Sequence, residues 1–439
     1  MSRRSTRDGA VRAMAALMLV AAFTGPPAAA QVAAGALSAS DADALPIEAA
    51  VDGLVEDALA ANLQLDVAGA ELAQRLAALD QARARYRPVL DFDARYSAAD
   101  GGRVISLPVG DLLNPVYVTL NQLTGQPRFP TIQNQSFRLL RAREQDTKLS
   151  LTQPLYDARI GPVRDASAAQ VQGSQAARAA LAARIERDMR TAYYRWLEAG
   201  ARLGILDATQ DLARANRRVN ESLYDNGKIT RDHVYRAEAD LLEVEQSRLA
   251  SVNAVRFAQS YVNLLRNEPF DRPLPRARVD DDDVGRLRDA AVGRIGLPAL
   301  EREALATTAI GRRAELRELD AAAAAAAAGE RLARAAFKPQ LALAVDAGTQ
   351  GAGYGFGADD RYVLASVVLR FNLFAGGADR AGLTAAHAAG RAARASRALT
   401  ASRIRLEVEQ AADDLDVALA SIGTAGKRVL AARGAFRIA

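Results

Sequence analysis

The chain has 439 residues, of which 50% are hydrophobic and 25% are charged, and it contains no cysteine. The absence of cysteine excludes a disulfide framework and a thiolate metal site. The formal net charge is +5, but residues 1–30 contain four arginines and one aspartate and supply +3 of it, which leaves +2 for residues 31–439. This near balance removes the main support for a nucleic-acid-binding protein.

Residues 1–30 have the pattern of a secretory signal peptide. Arginines precede an apolar run over residues 13–23, and Ala28, Ala29 and Ala30 come before Gln31. The run is too short to span a membrane and has the flanks of a cleaved signal. We expect export by the general secretory route and a mature chain that starts at Gln31. No later window has the roughly 18 consecutive apolar residues of a transmembrane helix, so any membrane insertion would use strands.

The first predicted helix covers residues 48–86, where apolar residues recur at helical spacing. Pro88 ends it, because the residue before a proline is pushed towards an extended conformation. Apolar and polar residues then alternate over residues 90–96, which predicts a strand with one apolar and one polar face. Glycine, proline and asparagine are frequent over residues 98–144, which we predict to be a long loop, and a second strand is predicted over residues 146–156.

Two long helices are predicted next, over residues 163–223 and 231–266. The first would be about 90 Å long at the standard helical rise. Asn226 and Gly227 lie between them and favour a tight turn. The pattern therefore predicts a helical hairpin with a sharp tip.

Residues 267–296 are rich in proline and charge and are interpreted as a solvated linker between residues 31–266 and 297–439. Four consecutive aspartates at 280–283 lack the spaced ligands and the glycine of a calcium loop. The second unit repeats the first, with a helix that contains an eight-alanine run, strands, a turn and a last helix. These predicted elements are the alanine run 321–328, strands 341–345 and 363–371, a glycine-rich turn over 348–357, and a helix that runs to residue 439.

The two units have the same order of helix, proline, strand, strand and helix. The first strand recurs at an offset of 251 residues, from Pro88 to Pro339, and the second at 218, from Leu151 to Leu369. A repeat of this length predicts a duplicated structural unit. Alignment of Glu186 with Glu407 places Ala439 opposite Arg218. We therefore expect the second repeat to be incomplete, without its own tip turn and return helix.

The sequence offers no catalytic constellation. His233 and His387 each stand alone in a helical pattern, and no nucleophile elbow, Walker loop or metalloprotease helix is present. The glycines over residues 351–357 lie between two strands rather than at the start of a helix, so they are interpreted as turn residues. Carboxylate pairs such as Glu407 with Glu409 are interpreted as ion pairs on a helix face. The prediction is a protein that is not an enzyme and has no cofactor or metal.

Four amphipathic strands are too few to close a membrane barrel, which needs at least eight, so the chain would have to pool its strands with copies of itself. The duplicated unit resembles the TolC-like outer-membrane efflux proteins over nearly all of residues 45–439. The motifs that carry the resemblance are the Pro-x-Leu strand entries at Pro88 and Pro339, the strand exits Gln153-Pro154-Leu155-Tyr156 and Asn372-Leu373-Phe374-Ala375-Gly376-Gly377, and the tip Tyr224-Asp225-Asn226-Gly227-Lys228-Ile229.

This resemblance implies a mainly α-helical protein with membrane β-strands. Three chains would form a 12-stranded barrel in the outer membrane and an α-helical barrel across the periplasm. Such proteins are passive exit ducts of tripartite efflux or type I secretion systems. An inner-membrane transporter supplies the energy, and a periplasmic adaptor protein docks at the helical tips. By this analogy the docking element would be Tyr224, Asp225, Asn226, Gly227, Lys228, Ile229 and Thr230; a plain hairpin turn is the alternative interpretation.

Strand alternation also predicts which side chains would meet lipid and which would line the lumen. Apolar residues should face outer-membrane lipid, namely Leu90, Phe92, Leu343, Val367 and Leu369. Polar residues should face the lumen, namely Asp91, Asp93, Ser366 and Arg370. The alternative function is a periplasmic coiled-coil scaffold or adaptor without a pore. Long alanine-rich hairpins would suit such a scaffold, but the alternating strands argue against it.

Overall fold

The computed structural model describes residues 45–278 and 299–438, apart from residues 354 and 356. The predicted signal peptide, its cleavage site before Gln31 and most of the predicted linker lie outside the described residues. The first half contains β1 (Leu45–Pro46), α1 (Ile47–Ala61), α2 (Leu63–Ala84), β2 (Val89–Ala98), β3 (Val104–Leu107), α3 (Val109–Thr124), β4 (Gln135–Arg138), β5 (Arg143–Asp157), α4 (Ile160–Asp225), α5 (Arg231–Leu265) and β6 (Ala277–Arg278). The second half contains α6 (Ala299–Arg312), α7 (Ala314–Ala335), β7 (Gln340–Gly351), β8 (Arg361–Arg370) and α8 (Ala378–Ile438).

The duplication is visible in the backbone. Helices α2 and α7 each have 22 residues, and both they and the strands β2 and β7 begin 251 residues apart. Helices α4 and α8 begin 218 residues apart, at Ile160 and Ala378. The structure is mainly helical, with long helices that run antiparallel to their neighbours and a smaller strand region.

One four-stranded antiparallel sheet combines both halves, in the order β2-β5-β7-β8. Its edge strands are β2, from the first half, and β8, from the second. The ladder between β5 and β7 shifts register between Pro154 and Tyr156. A proline has no N–H to donate, so a bulge here accommodates Pro154 within a sheet. Two smaller ladders, β3 with β4 and β1 with β6, add to the strands that the sequence predicted.

The helix predicted over residues 48–86 is in fact two helices that meet at Asn62. The Asn62 side chain accepts a hydrogen bond from the backbone N–H of Gln64 at 2.9 Å and so caps α2. Its Nδ2 donates to the carbonyl of Leu265 at 2.9 Å, at the end of α5. The same break recurs at Arg313, 251 residues later, between α6 and α7. Apolar periodicity could not reveal this break, because it continues on both sides.

The long loop predicted over residues 98–144 was also wrong, because it contains β3, α3 and β4. Its glycines and prolines suggested irregular structure, yet Pro115 lies inside α3. The glycine-rich turn was placed too early, since Gly348 and Gly351 are strand residues of β7. The first is paired with Tyr362 of β8 and the second with Gln145 of β5. The turn to β8 therefore begins only after residue 351.

The apolar core lies where α1 packs against α4 and the end of α5. Helix α1 supplies side chains at helical spacing, and Met189 and Tyr193 of α4 lie against them with no exposed surface. The core residues are Ile47, Ala50, Val51, Leu54, Val55, Ala58, Leu65, Ile185, Met189, Ala192, Tyr193, Val262, Leu265 and Leu274. Further along, α7 packs against α4, and α8 packs against α7 and α6.

Candidate functional site

The sheet separates apolar and polar side chains onto two faces. In an antiparallel ladder, directly opposed residues lie on the same face. Leu90 lies opposite Leu151, which in turn lies opposite Val345. On the same face, Leu343 lies opposite Val367 and Leu341 opposite Leu369. The register therefore brings together on one face all five residues predicted to meet lipid: Leu90, Phe92, Leu343, Val367 and Leu369.

These apolar side chains are largely exposed. Phe92 is 68% exposed, and Val367 and Leu369 are each 65% exposed. A continuous apolar surface of this kind on a folded protein marks a contact with lipid or another protein. Their contact with lipid stays a prediction, whereas their common face is a property of the register.

The opposite face carries the four residues predicted to line the lumen. Asp91 lies opposite Ser150, which lies opposite Asp346, and Asp93 lies opposite Lys148. Ser366 lies opposite Ala344, and Arg370 lies opposite Gln340. The four predicted lumen residues, Asp91, Asp93, Ser366 and Arg370, therefore share this polar face. Leu364 and Val368 also lie on it, so its β8 side is less polar than its β2 side.

Charged groups on the polar face pair across strands. The Lys148 Nζ lies 3.7 Å from a carboxylate oxygen of Asp346, and Arg95 lies 3.6 Å from Asp146. The Tyr362 hydroxyl donates to the same Asp146 carboxylate at 3.4 Å. Sequence analysis missed these partners, because strand alternation assigns a residue to a face but does not say which strand lies beside it.

The helical tip is a compact, hydrogen-bonded turn. Tyr224 and Asp225 end α4, and Gly227 has a φ of +67°, in the left-handed region that favours glycine. The N–H of Lys228 donates to the carbonyl of Leu223 at 2.9 Å, and the N–H of Gly227 to that of Tyr224 at 2.8 Å. This is the Schellman pattern of helix ends. The turn predicted from Asn226 and Gly227 is confirmed.

The far side of the tip is fixed by the start of α5. The Thr230 hydroxyl is hydrogen-bonded to the Asp232 carboxylate, and this bond lowers the pKa of Asp232. The Arg231 guanidinium lies 5.4 Å from the centre of the Tyr235 ring, a cation–π contact. The structure thus presents a rigid loop with exposed charges of both signs and brings the predicted tip residues together. This arrangement can bind another protein but offers no group for covalent chemistry.

Within the described ranges, the His, Asp and Glu residues form no cluster of three or more that could hold a metal ion. His387 is not isolated, since its Nδ1 lies 3.3 Å from a carboxylate oxygen of Glu330 on α7. In the same part of the chain, no helix is long and apolar enough to cross a membrane.

Solved structures with the same fold are outer-membrane channels. The chain matches VceC from Vibrio cholerae with a TM-score of 0.67 at 18% sequence identity, over 89% of this chain and 85% of that one. It matches CusC with a TM-score of 0.65 at 18% identity, over 90% and 83% of the two chains. It matches the open state of the Neisseria gonorrhoeae MtrE channel with a TM-score of 0.55 at 19% identity, over 87% and 75%.

No protein-family model and no curated protein sequence matches the chain. The structural comparisons therefore establish the fold, which is that of the outer-membrane efflux channels. The fold expected from the resemblance in the sequence is confirmed.

Proposed function

We propose that the chain is a TolC-like passive exit duct of the outer membrane that extends into the periplasm. The observation that carries the proposal is the four-stranded sheet, which is built from both repeats and has one exposed apolar face and one polar face. The sheet occurs in a chain with the fold of outer-membrane efflux channels. A duct in that membrane needs exactly these two kinds of surface, one for lipid and one for water.

Three copies of the chain would complete the duct. The strands β2 and β8 are the open edges of the sheet, and unpaired strand edges are not tolerated in lipid. Pairing β2 of one copy with β8 of the next would remove every edge and give a closed barrel of 12 strands. Leu90, Phe92 and their neighbours would face lipid, and Asp91 and Asp93 would face the lumen.

The long helices would form the periplasmic part of the same duct. Helices α4 and α5 form one antiparallel hairpin, with α7 and α8 packed beside it. A periplasmic adaptor would dock on residues 224–230, and an inner-membrane transporter would supply the energy, in an efflux or type I secretion system. The rigid tip with charges of both signs supports this role, because a preformed polar loop loses little entropy on docking.

Extraction and conductance test the proposal. We expect the protein to stay with outer membranes in high salt, to require detergent for release, and to give stepwise conductance in planar lipid bilayers. Asp91→Asn with Asp93→Asn should lower the cation selectivity of that conductance, since two carboxylates per chain leave the lumen. Glu56→Gln, on the exposed side of α1, is the matched control. Release by salt alone and no conductance would instead support the pore-free scaffold.

Docking at the tip has a separate test. We expect a double variant of the exposed tip charges, Asp225→Lys with Lys228→Glu, to weaken pull-down of the adaptor while leaving conductance unchanged. The control is Asp80→Lys on the exposed side of α2, where the charge change lies far along the chain from the tip. Undiminished pull-down of the adaptor by the tip variant would contradict a docking role for residues 224–230.

A further inference from the structure

The segment inserted between β2 and β5 extends beyond the rest of the sheet. The β2–β5 ladder continues into β3 and β4, since the N–H of Ala99 donates to Ala142 at 3.0 Å and that of Leu139 to Arg103 at 3.0 Å. Strand β7 ends at Gly351, opposite Gln145. The β3–β4 ladder reaches Gln135, ten residues further along β5 and β4, or up to about 30 Å at the rise of a strand. Helix α3 caps this projecting ribbon.

Asparagine side chains hold α3 in a fixed orientation on the ribbon. The Asn114 amide exchanges two hydrogen bonds with the backbone of Ile132, each of 2.8 Å. The Asn121 amide does the same with Phe129, at 2.8 and 3.0 Å. Asn134 accepts from the N–H of Asp111 at 3.2 Å. The polar side of the helix therefore faces its own chain.

The other side of α3 is an apolar stripe that the chain itself leaves exposed. Leu112 is 70% exposed, Val116 52% and Leu123 78%. Spacings of three and four residues place the whole stripe on one side of the helix, and this stripe consists of Val109, Leu112, Leu113, Val116, Leu120 and Leu123. An apolar stripe held outwards by a rigid polar attachment calls for a partner surface.

Charge argues against lipid as that partner. Helices that lie on a membrane surface carry lysine and arginine on the polar side. Helix α3 has neither, and its single charged residue is Asp111. Apolar residues at three- and four-residue spacing are instead typical of helices that pack on other helices. The insertion also leaves from β2, an edge strand, which is the strand that would meet the next copy in the proposed trimer.

We propose that the α3 helices of three copies pack against one another through this stripe and close the exit mouth of the duct. The proposal rests on the trimeric duct proposed above. Twelve strands about 4.8 Å apart and tilted by about 40° enclose a mouth about 24 Å across. Three helices, each about 10 Å thick, form a bundle about 20 Å across and so fill such a mouth. The stripe then acts as a removable apolar seal.

The absence of cysteine makes a direct test possible, since one introduced thiol is the only thiol in the chain. Leu123→Cys places it on the stripe, and the adjacent Gln122→Cys places it on the polar side of the same turn. Both positions are exposed, so neither change should prevent folding. Oxidation of the purified trimer should link Leu123→Cys chains about tenfold faster than Gln122→Cys chains, because a disulfide needs Cα atoms within about 7 Å. Equal rates would overturn the proposal.

Two further measurements separate the outcomes. Leu112→Asp with Leu123→Asp should open the mouth and raise single-channel conductance, whereas Gln122→Asp should not; no increase with the double variant would overturn the seal. If a thiol probe dissolved in lipid labels Leu123→Cys within an intact trimer, the stripe lies on lipid and the seal is wrong while the duct stands. If chemical cross-linking and sedimentation find no trimer, the duct and the seal fail together.

Discussion

Helices α1 and α6 are corresponding parts of the two repeats, yet they are held in place by different forces. Val51 of α1 is fully buried, and the equivalent position in α6, 251 residues later, is Arg302. Leu54 is 2% exposed, whereas its counterpart Leu305 is 48% exposed. The duplicated backbone is thus kept while the side chains that hold it have diverged.

In the first repeat, burial dominates. Helix α1 packs its apolar side against α4, where the Tyr193 hydroxyl donates to the carbonyl of Pro275 at 2.8 Å. Ion pairs are present at the edge of this core, from Arg190 to Asp52 at 3.0 Å and from Arg266 to Asp57 at 2.7 Å. They accompany an apolar core and do not replace it.

In the second repeat, ion pairs take the place of that core. The Arg302 guanidinium lies 2.8 Å from Asp413 and 3.2 Å from both Glu409 and Asp416, all on α8. Hydrogen bonds to Asp413 and Glu409 raise the pKa of Arg302. The sequence predicted ion pairs along one helix face for these carboxylates, and the structure corrects this to pairs between α6 and α8. The comparison teaches that a repeated fold does not imply repeated energetics.

The largest contrast should come from matched leucine truncations. Leu54→Ala removes a buried side chain and should lower the free energy of unfolding by about 2–5 kcal/mol. Leu305→Ala, at the equivalent half-exposed position, should cost about 1 kcal/mol or less. Urea unfolding followed by the fluorescence of Trp196, the single tryptophan, measures both, together with amide hydrogen exchange in α1 and α6. Equal losses would remove the proposed difference between the repeats.

The sheet is where the two repeats should behave alike. Phe92→Arg in the first repeat and Val367→Arg in the second each place a charge on the apolar face, at a cost of about 2–4 kcal/mol near the middle of a bilayer. Both should block assembly of a heat-resistant trimer, measured on gels of unheated samples. Asp93→Asn, on the polar face, should be tolerated. Equal tolerance of all three changes would contradict the assignment of faces.

Alkaline pH should act on the first repeat alone. Burial raises the pKa of Tyr193 to about 12. Because the folded pKa lies above the ordinary value near 10, the stabilising effect of the neutral phenol is complete below pH 10 and is lost as the pH rises towards 12. The position equivalent to Tyr193 in α8 is Ala411, 218 residues later.

Tyr193→Phe is the matched variant for this pH effect. It should be less stable at neutral pH, since the Pro275 carbonyl loses its donor, but its urea midpoint should fall less between pH 10 and 12 than that of the unmodified protein. The difference between the two pH profiles isolates Tyr193 from the other titrating groups. Identical slopes would show that Tyr193 titrates at its ordinary pKa.

High salt should act mainly on the second repeat and is expected to be the smallest effect. At about 1 M NaCl the Debye length is about 3 Å, so exposed ion pairs are screened. Hydrogen exchange in α6 should become faster while that in α1 changes little. Arg302→Gln should make α6 exchange fast already at low salt and leave little further response. A salt response in α1 as large as that in α6 would break the comparison.

Sequence patterns located the strands, the tip and the two faces of the sheet, because each depends on local features. Alternation needs only neighbouring residues, and the Asn226-Gly227 turn is closed by its own backbone bonds. Helix α3 was missed because its stability depends on amide bonds from Asn114 and Asn121 to a segment that follows it. Composition over residues 98–144 carries no trace of those bonds.

By itself, the sequence determined the duplication, the order of helices and strands, and which strand residues share a face, since periods of 2 and 3.6 are set by the backbone. Only the tertiary structure decided that β5 lies between β2 and β7, that Lys148 pairs with Asp346, and that α1 is buried while α6 is held by charge. These outcomes depend on contacts between residues far apart in the chain. A periodic pattern reports which side of an element is apolar, but the packing partner decides what that side touches.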